Sequence, residues 1–385
     1  MRGRMMRVLH INTERTWRGG EQQTLYLARG LKQRGHETQI ACQPGSPLSA
    51  RAREEGIEVA EIPMRAECDP VAIRALARLI ASQQYDIVHM HTSHAHTLGC
   101  LASLLARRGA RIVTRRVDFS IIKSPVSKLK YTWGITKYIA ISEAIKRVLV
   151  NDGINPDRIA VVHSGIDISR FGKTLDNARV RNELHIDSNQ PVIGNIAHMA
   201  DHKGQKYLIQ AVPEVLKEFP TAKFMIVGGG ELRPDLEHYV EQLGIKSSVI
   251  FTGFRGDIPE LLKAFDIFVM PSHMEGLCTS IMDAMAAGVP VVASNVGGIP
   301  EIVQNELNGL LVPAKNPSAL AAAIIRLIKN PEQGIKFATV ARKTVETNFS
   351  VDAMVEGNIA VYISGVLVRS AQAKGISESQ PTAGK

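Results

Sequence analysis

Apolar positions along this chain come in two alternating forms. Short continuous apolar runs are each followed by a longer segment whose apolar residues recur at three- and four-residue spacing. In the first half the run Val8–Asn12 precedes a helical pattern over Glu21–Arg34. A strand over Glu37–Cys42 and a helix over Pro70–Gln83 follow. The alternation continues through Asp86–His91, Ala95–Arg107, Arg111–Thr114, Lys137–Ser142, a helix reaching Val150, and Ile159–His163. A polar stretch over 171–190, rich in Asp, Asn and Arg, reads as a linker. The pattern then restarts with Pro191–Ala197, Gln205–Lys217, Lys223–Val227, Leu232–Leu243, Val249–Thr252, Ile258–Ala264 and Asp266–Met270. Strands that are apolar throughout, alternating with helices, predict parallel sheets covered on both faces. The expected architecture is α/β with two doubly wound, Rossmann-like domains, residues 1–170 and 171–350. A helix over 350–368 packs back on the first domain, and a polar tail over 370–385 is expected to be disordered.

One stretch concentrates the chemistry. After the strand ending at Met270 comes Pro271, then SHMEGLCTSIMDAMAAGVPVVASNVGG over Ser272–Gly298. Leu277, Ile281 and Met285 recur at helical spacing and Gly288 closes the pattern. A carboxylate, Glu275, therefore sits with Gly276 at a strand-to-helix turn, and Asp283 lies one turn inside the helix, on the face of Thr279. The unpaired N–H groups of Leu277, Cys278 and Thr279 would suit phosphate oxygens. Asp283 would then reach neighbouring sugar hydroxyls, an arrangement suited to a nucleoside diphosphate.

The pattern E-G-L-x-T-S-I-x-D-A-M-A-A-G-V-P-V-V-A resembles the donor-site motif of family-4 retaining glycosyltransferases, including those of bacterial lipopolysaccharide and cell-surface polysaccharide synthesis. The resemblance extends over residues 6 to 365. It implies the GT-B fold, two Rossmann-like domains facing across a cleft. The family motif has two Glu eight positions apart; here they are Glu275 and Asp283, and Cys278 stands where Gly is common. By the resemblance, Glu275 contacts donor sugar hydroxyls and Asp283 the ribose. The segment His198–Lys203 follows the first strand of the second half. There the family has Arg and Lys on the donor diphosphate; Lys203 matches, whereas His198 replaces the Arg and is largely neutral at pH 7 if unperturbed. His91 matches a histidine facing the donor sugar. Gly19, Gly20 and Glu21 fall in the loop that faces donor phosphates and acceptor, and Gly253, Phe254 and Arg255 border the nucleotide base.

Other readings rest on the residues themselves. Gly19-Gly20 alone reads as a turn as readily as a phosphate approach, and Phe254 as readily as a core residue. Gly228-Gly229-Gly230 lacks a third spaced glycine and is no dinucleotide fingerprint. Arg115 and Arg116, with Asp118, follow a strand end and suit bidentate contact with an anionic acceptor, or form a solvated basic loop. DIVHMHTSHAH over Asp86–His96 places His89 and His91 on one side of an extended run. With no Cys or carboxylate beside them, no metal is expected. His94 and His96 read as surface or supporting residues.

Composition narrows the rest. At 385 residues, 45% apolar, the chain can build two cores. No run of 18 apolar residues is evident and the start is too short for a signal peptide, so a cytoplasmic protein is expected. Four scattered cysteines suggest neither disulfides nor zinc. The net charge of +9 is uneven: residues 1–170 carry +11 and the remainder −2. A basic first half suits an anionic glycolipid, an oligosaccharide acceptor or a membrane inner face, with peripheral contact. No aromatic-interleaved basic motif points to nucleic acid. The expected function is transfer of a sugar from a nucleoside diphosphate donor to a hydroxyl, with retention and no cofactor or metal. The alternatives are a sugar-nucleotide 2-epimerase and a non-catalytic binder of nucleotide sugars or anionic polymers.

Overall fold

The structure, a computed structural model, describes residues 5–116, 120, 130–172 and 177–373. Asp118 and most of the tail lie outside the described residues. The chain forms two compact units, residues 1–165 with 351–385, and residues 166–350.

Unit 1 holds β1 (Arg7–Ile11), α1 (Gly19–Gln33), β2 (Glu37–Cys42), α2 (Pro47–Glu54), β3 (Glu58–Glu61), α3 (Pro70–Gln83), β4 (Ile87–Met90), α4 (Ser93–Leu105), β5 (Ala110–Arg115), β6 (Lys137–Ala140), α5 (Glu143–Asn151) and β7 (Ile159–Val161). Its seven strands are all parallel in the order β3-β2-β1-β4-β5-β6-β7. Leu9, Ile11, Ile87 and Met90 are fully enclosed, which is why these strands read as unbroken apolar runs. α2 and β3 escape the sequence pattern. α2 is a short, Arg-rich surface helix started by Pro47 under a Ser46 cap, and β3 is a four-residue edge strand with no fully buried residue.

Unit 2 holds α6 (Asn177–Glu183), β8 (Val192–Ile196), α7 (Gln205–Glu218), β9 (Lys223–Val227), α8 (Arg233–Gln242), β10 (Val249–Gly253), α9 (Ile258–Ala264), β11 (Ile267–Met270), α10 (Thr279–Ala286), β12 (Val291–Ser294), α11 (Ile299–Ile302), β13 (Leu310–Val312), α12 (Pro317–Lys329) and α13 (Pro331–Asn348). Its six strands are parallel in the order β10-β9-β8-β11-β12-β13. Both sheets therefore reverse direction of growth at one point, between β1 and β4 and between β8 and β11. At such points the loops leaving the C-terminal strand ends diverge and leave a crevice for ligand.

The chain returns to unit 1 as α14 (Val351–Ala373). Val355 and Tyr362 are completely buried in a cluster with Val8, Leu27, Leu31 and Ile112. Arg34, the C-cap residue of α1, clamps the outer side through Asp352 and Glu356, each at 2.7 Å. By length and composition Val351–Ser370 is apolar enough to cross a membrane, contrary to the expectation from sequence. Its apolar character is used here to fill one face of the unit 1 core.

Candidate functional site

In unit 2 the site is built by two loops leaving the β8/β11 switch point. The β8 loop ends in a 3-10 turn, Asp201–Lys203, followed by Gly204 at φ +71°. A Cβ there would meet the Pro271 carbonyl oxygen at 2.1 Å, so the loops approach only because residue 204 is glycine. The His273 N–H donates to His202 O at 2.9 Å across the same seam. This contact carries Lys203 to Glu275: Lys203 Nζ donates to Glu275 Oε1 at 2.7 Å, and Ser272 Oγ donates to the same oxygen at 3.0 Å. Neither bond uses Oε2. Glu275 is only 6% exposed, and its backbone carbonyl accepts Gly298 N–H at 3.1 Å, which fixes the turn.

α10 begins at Thr279, two residues later than the periodicity predicts. Cys278 takes an extended N-cap conformation and makes no side-chain cap bond. The helix therefore offers its first-turn N–H groups from Thr279 onward, while Leu277 and Cys278 are buried in the approach. Burial, then the Glu275 charge, pushes the Cys278 thiol up to about 12, so it stays neutral and leaves the local positive potential intact. The helix ends as expected, with Gly288 N–H on Met285 O. Asp283 projects from its second turn with Oδ1 shielded and without a partner. Burial pushes its carboxyl up to about 6, opposed by the Arg170 charge. A half-buried carboxylate with one shielded oxygen lacking a donor is suited to a ligand that supplies hydroxyls.

His198 lies at the mouth of the β8 loop, and its Nε2 meets Glu231 Oε2 at 3.0 Å. The triple-glycine turn brings Glu231 there: Gly228, at φ +136°, sits where a Cβ would strike Ala197 O at 2.1 Å. That turn packs strand end against strand end, the simple turn the sequence suggests. On the far side of β9, Gly253 ends β10 and Phe254 is 77% exposed, not core. Arg255 is committed elsewhere, to Asp257 and Glu183. These hydrogen bonds and charges raise its pKa, so Phe254 rather than Arg255 is the side chain left open at this strand end.

Unit 1 places its candidates at the β1/β4 switch point. Gly19 and Gly20 open α1, and Gly20 lies against Arg116 Cδ at the contact distance of 3.8 Å a Cβ would have. Glu21 was expected to touch acceptor; instead it is buried as the reciprocal half of a helix cap. Its Oε2 accepts Arg18 N–H at 3.0 Å and its Oε1 accepts Asn12 Nδ2 at 3.2 Å. Burial raises its pKa. Arg115 and Arg116 are not a solvated basic loop. Arg115 is buried, and the Arg116 guanidinium is enclosed, its pKa brought down to about 10 by burial against the Glu21 charge, with Nη1 at 3.5 Å from Ser164 Oγ.

The histidines divide. His94 is exposed, as expected; His96 is buried between Tyr131 and Tyr138, and burial takes its pKa down to about 3. His89 and His91 do lie on one side, with ring centroids 4.0 Å apart, and His10 of β1 joins them. His89 is held on both nitrogens at 2.6 Å, by Tyr362 of α14 and Thr114 of β5, while His10 Nδ1 and His91 Nε2 meet at 3.0 Å. The three are close enough to share a cation. Three imidazoles are a donor set zinc can use, but four of the six ring nitrogens, both of those on His89 among them, are already engaged within the protein. His10, Ser272, Glu231 and Tyr362 were missed by the sequence reading. The available signal for His10 is a polar residue inside an otherwise apolar strand run.

Two all-parallel doubly wound units, with a carboxylate-bearing strand-to-helix turn in the second, define a GT-B glycosyltransferase. Models of two glycosyltransferase families match consecutive parts of the chain: Glycosyltransferase Family 4 over residues 17–170 and Glycosyl transferases group 1 over residues 176–344. The chain belongs to the family-4 glycosyltransferases and is a glycosyltransferase. It is 28% identical over 314 residues to the UDP-Gal:alpha-D-GlcNAc-diphosphoundecaprenol alpha-1,3-galactosyltransferase of Escherichia coli, covering 78% of this chain and 80% of that one. It is 27% identical to the putative glycosyltransferase EpsD of Bacillus subtilis, covering 86% and 90%. The structure of Anabaena HepE in complex with UDP-glucose superposes with a TM-score of 0.82 at 23% identity, covering 93% of this chain and 99% of that one.

Proposed function

We propose that this enzyme transfers a sugar, with retention, from a nucleoside diphosphate donor to a hydroxyl of an anionic glycolipid or polysaccharide acceptor in cell-envelope biosynthesis. The observation that carries it is the Lys203–Glu275 pair beside the uncapped start of α10. A departing diphosphate needs positive potential, and Lys203 with the α10 N–H groups supplies it; His198 adds a hydrogen-bonding ring. Glu275, with Oε2 outside its internal bonds, would accept donor sugar hydroxyls, and Asp283 the ribose hydroxyls. These groups supply the charge a divalent ion would otherwise bring, so transfer proceeds without metal. The Escherichia coli relative is named for a UDP-sugar donor and a diphosphoundecaprenol-linked acceptor, which supports this donor and acceptor class.

Unit 1 also has a basic and partly apolar surface at the edge of its sheet where β5 and β6 begin. Trp133 and Leu105 are exposed, and Gly134 packs on Cys100 and Leu104, which sets Trp133 beside α4, whose end carries exposed Arg107 and Arg108. This surface suits peripheral contact with an anionic membrane. A thermal-shift screen of UDP, GDP, ADP and CMP, with and without Mg²⁺, on wild type and Glu275→Ala tests the donor site. One diphosphate should stabilise selectively and without metal. No shift at millimolar concentration would sink the donor assignment. It would favour a binding protein whose anion site is weakened by the His198–Glu231 pair.

A further inference from the structure

Arg116 is a cation in an awkward place. It stands just past the end of β5, beside the first turn of α1, where its Cδ lies 3.8 Å from the position a Cβ of Gly20 would take. α1 starts at Gly19, so the N–H groups of Gly19 and Gly20 have no acceptor within the helix and give this end positive potential. A guanidinium set there meets charge of its own sign. Gln23 of α1 grips Gly165 by two hydrogen bonds, at 2.8 and 2.9 Å, and this holds the adjoining Ser164 against Arg116. The contact from Nη1 to Ser164 Oγ is nonetheless 3.5 Å long, and Nε is shielded with no partner.

The surroundings do not answer this cation. Glu21 supplies an opposing charge, yet both its oxygens are spent, Oε2 on Arg18 N–H and Oε1 on Asn12 Nδ2. Burial, with lesser charges that include Arg116 itself, keeps the imidazoles of His89 and His91 neutral. Arginine offers Nε–H and one Nη–H as parallel donors, an edge that matches two oxygens of a phosphate. Here Nη1 faces Ser164 and the Nε edge is unengaged. A buried cation with an unmet donor is costly, and an anion seated between that edge and the Gly19 and Gly20 N–H groups removes the cost.

We propose that unit 1 carries a phosphate site of its own, in which Arg116 and the first turn of α1 hold a phosphate group of the acceptor. The proposal rests on the transferase reading above and adds to it the acceptor group that is recognised. Every residue of the site belongs to unit 1, so it requires no ligand from unit 2. The donor diphosphate offers similar oxygens, and the experiment separates the two sources.

The test reads the Arg116 Nε–H signal of full-length protein labelled with ¹⁵N-arginine. The signal is assigned by its loss in Arg116→Lys and by its contacts with Gly20 and Ser164 protons. Inorganic phosphate and glycerol 3-phosphate, at millimolar concentration and matched ionic strength, should each move this signal to saturation; sodium chloride should not. The response should persist in wild type saturated with UDP, and in Lys203→Met, which lacks the cation proposed for the donor diphosphate. No movement with either phosphate overturns the proposal, and so does equal movement with chloride. A response abolished by UDP, or absent from a folded Lys203→Met, assigns the oxygens to the donor and overturns it too. With a working donor and a phosphate-bearing acceptor, Arg116→Lys should raise the acceptor KM about tenfold and leave the donor KM nearly unchanged, since lysine keeps the charge but loses the paired donors. An unchanged acceptor KM contradicts the proposal. Absence of turnover with every donor would count against the proposed function alone, since the signal is read on the free protein.

Discussion

Lys203 Nζ and Glu275 Oε1 lie 2.7 Å apart although 72 positions separate them in the chain. Glu275 is nearly enclosed and Lys203 is the cation bonded to it, so removing the lysine leaves an uncompensated carboxylate in a poorly hydrated place. Lys203→Met should lower stability by about 2–4 kcal/mol, and Lys203→Met with Glu275→Leu should recover much of that loss. Both variants should be inactive. Denaturant unfolding of the two single variants and the double variant checks the cycle. Additive losses would show that the pair is not coupled.

Gly204 and Gly229 make a matched pair for testing the loop seam. An alanine at 204 faces both a left-handed backbone and a 2.1 Å clash with Pro271 O, whereas a Cβ at Gly229 meets nothing within 4 Å. Gly204→Ala should cost about 3 kcal/mol or more, or fail to accumulate as soluble protein. Gly229→Ala should stay within about 0.5 kcal/mol of wild type. Thermal unfolding of both decides it.

Much of the fold was legible because both sheets are parallel and covered, so Val8–Ile11, Lys223–Val227 and Ile267–Met270 are apolar runs bounded by turn residues. α2 and β3 were invisible for the complementary reason: an Arg-rich surface helix and the strand EVAE bury too little to impose a period. In the candidate site, Glu275 and Asp283 stand in one local motif at a strand-to-helix turn and Lys203 in a second, after β8; the bond between Lys203 and Glu275 is what the structure adds. Partnerships between distant loops were not. Nothing in the sequence says that Glu21 is spent on capping α1, that Arg255 is held by Glu183, or that His10 faces His91. Charge also misleads where burial is unknown. Arg115 and Arg116 read as a surface pair and lie inside, the second against Glu21.

With Asp283 at the ribose, as proposed, donor binding should depend on pH. Its carboxyl is raised to about 6 by burial, above the ordinary aspartate value near 3.9. The folded state therefore holds this proton more tightly than the unfolded chain. Stability declines as pH climbs from about 4 through 6 and is level above that. Asp283→Asn should remove this penalty and gain about 1–3 kcal/mol at pH 7.5, with no gain at pH 3.5. Affinity for a nucleoside diphosphate runs the other way, because only the ionised carboxylate accepts two ribose hydroxyls. Binding should weaken as pH falls through 6 in wild type and be weak throughout in Asp283→Asn. Calorimetric titration at pH 5, 6 and 7.5 separates these cases, and a pH-independent wild-type affinity excludes a ribose contact at Asp283.

Phe254 allows the proposed base contact to be tested apart from the rest of the site. Its ring is 77% exposed at the end of β10, so it contributes little to packing, and its neighbour Arg255 is immobilised by Asp257 and Glu183. A ring left open beyond a strand end gains surface burial only when something stacks on it. Stacking of a base on an aromatic side chain is worth about 1–3 kcal/mol. Phe254→Ala should therefore weaken the preferred nucleoside diphosphate about tenfold or more while leaving the melting temperature of the free protein within about 1 °C. Phe254→Tyr should retain affinity. Inorganic diphosphate provides the internal control: it lacks a base, so its affinity should be the same in all three proteins. A parallel loss of nucleotide and inorganic diphosphate would place the effect on the β10 loop as a whole. Equal nucleotide affinity in wild type and Phe254→Ala would remove the ring from the base site.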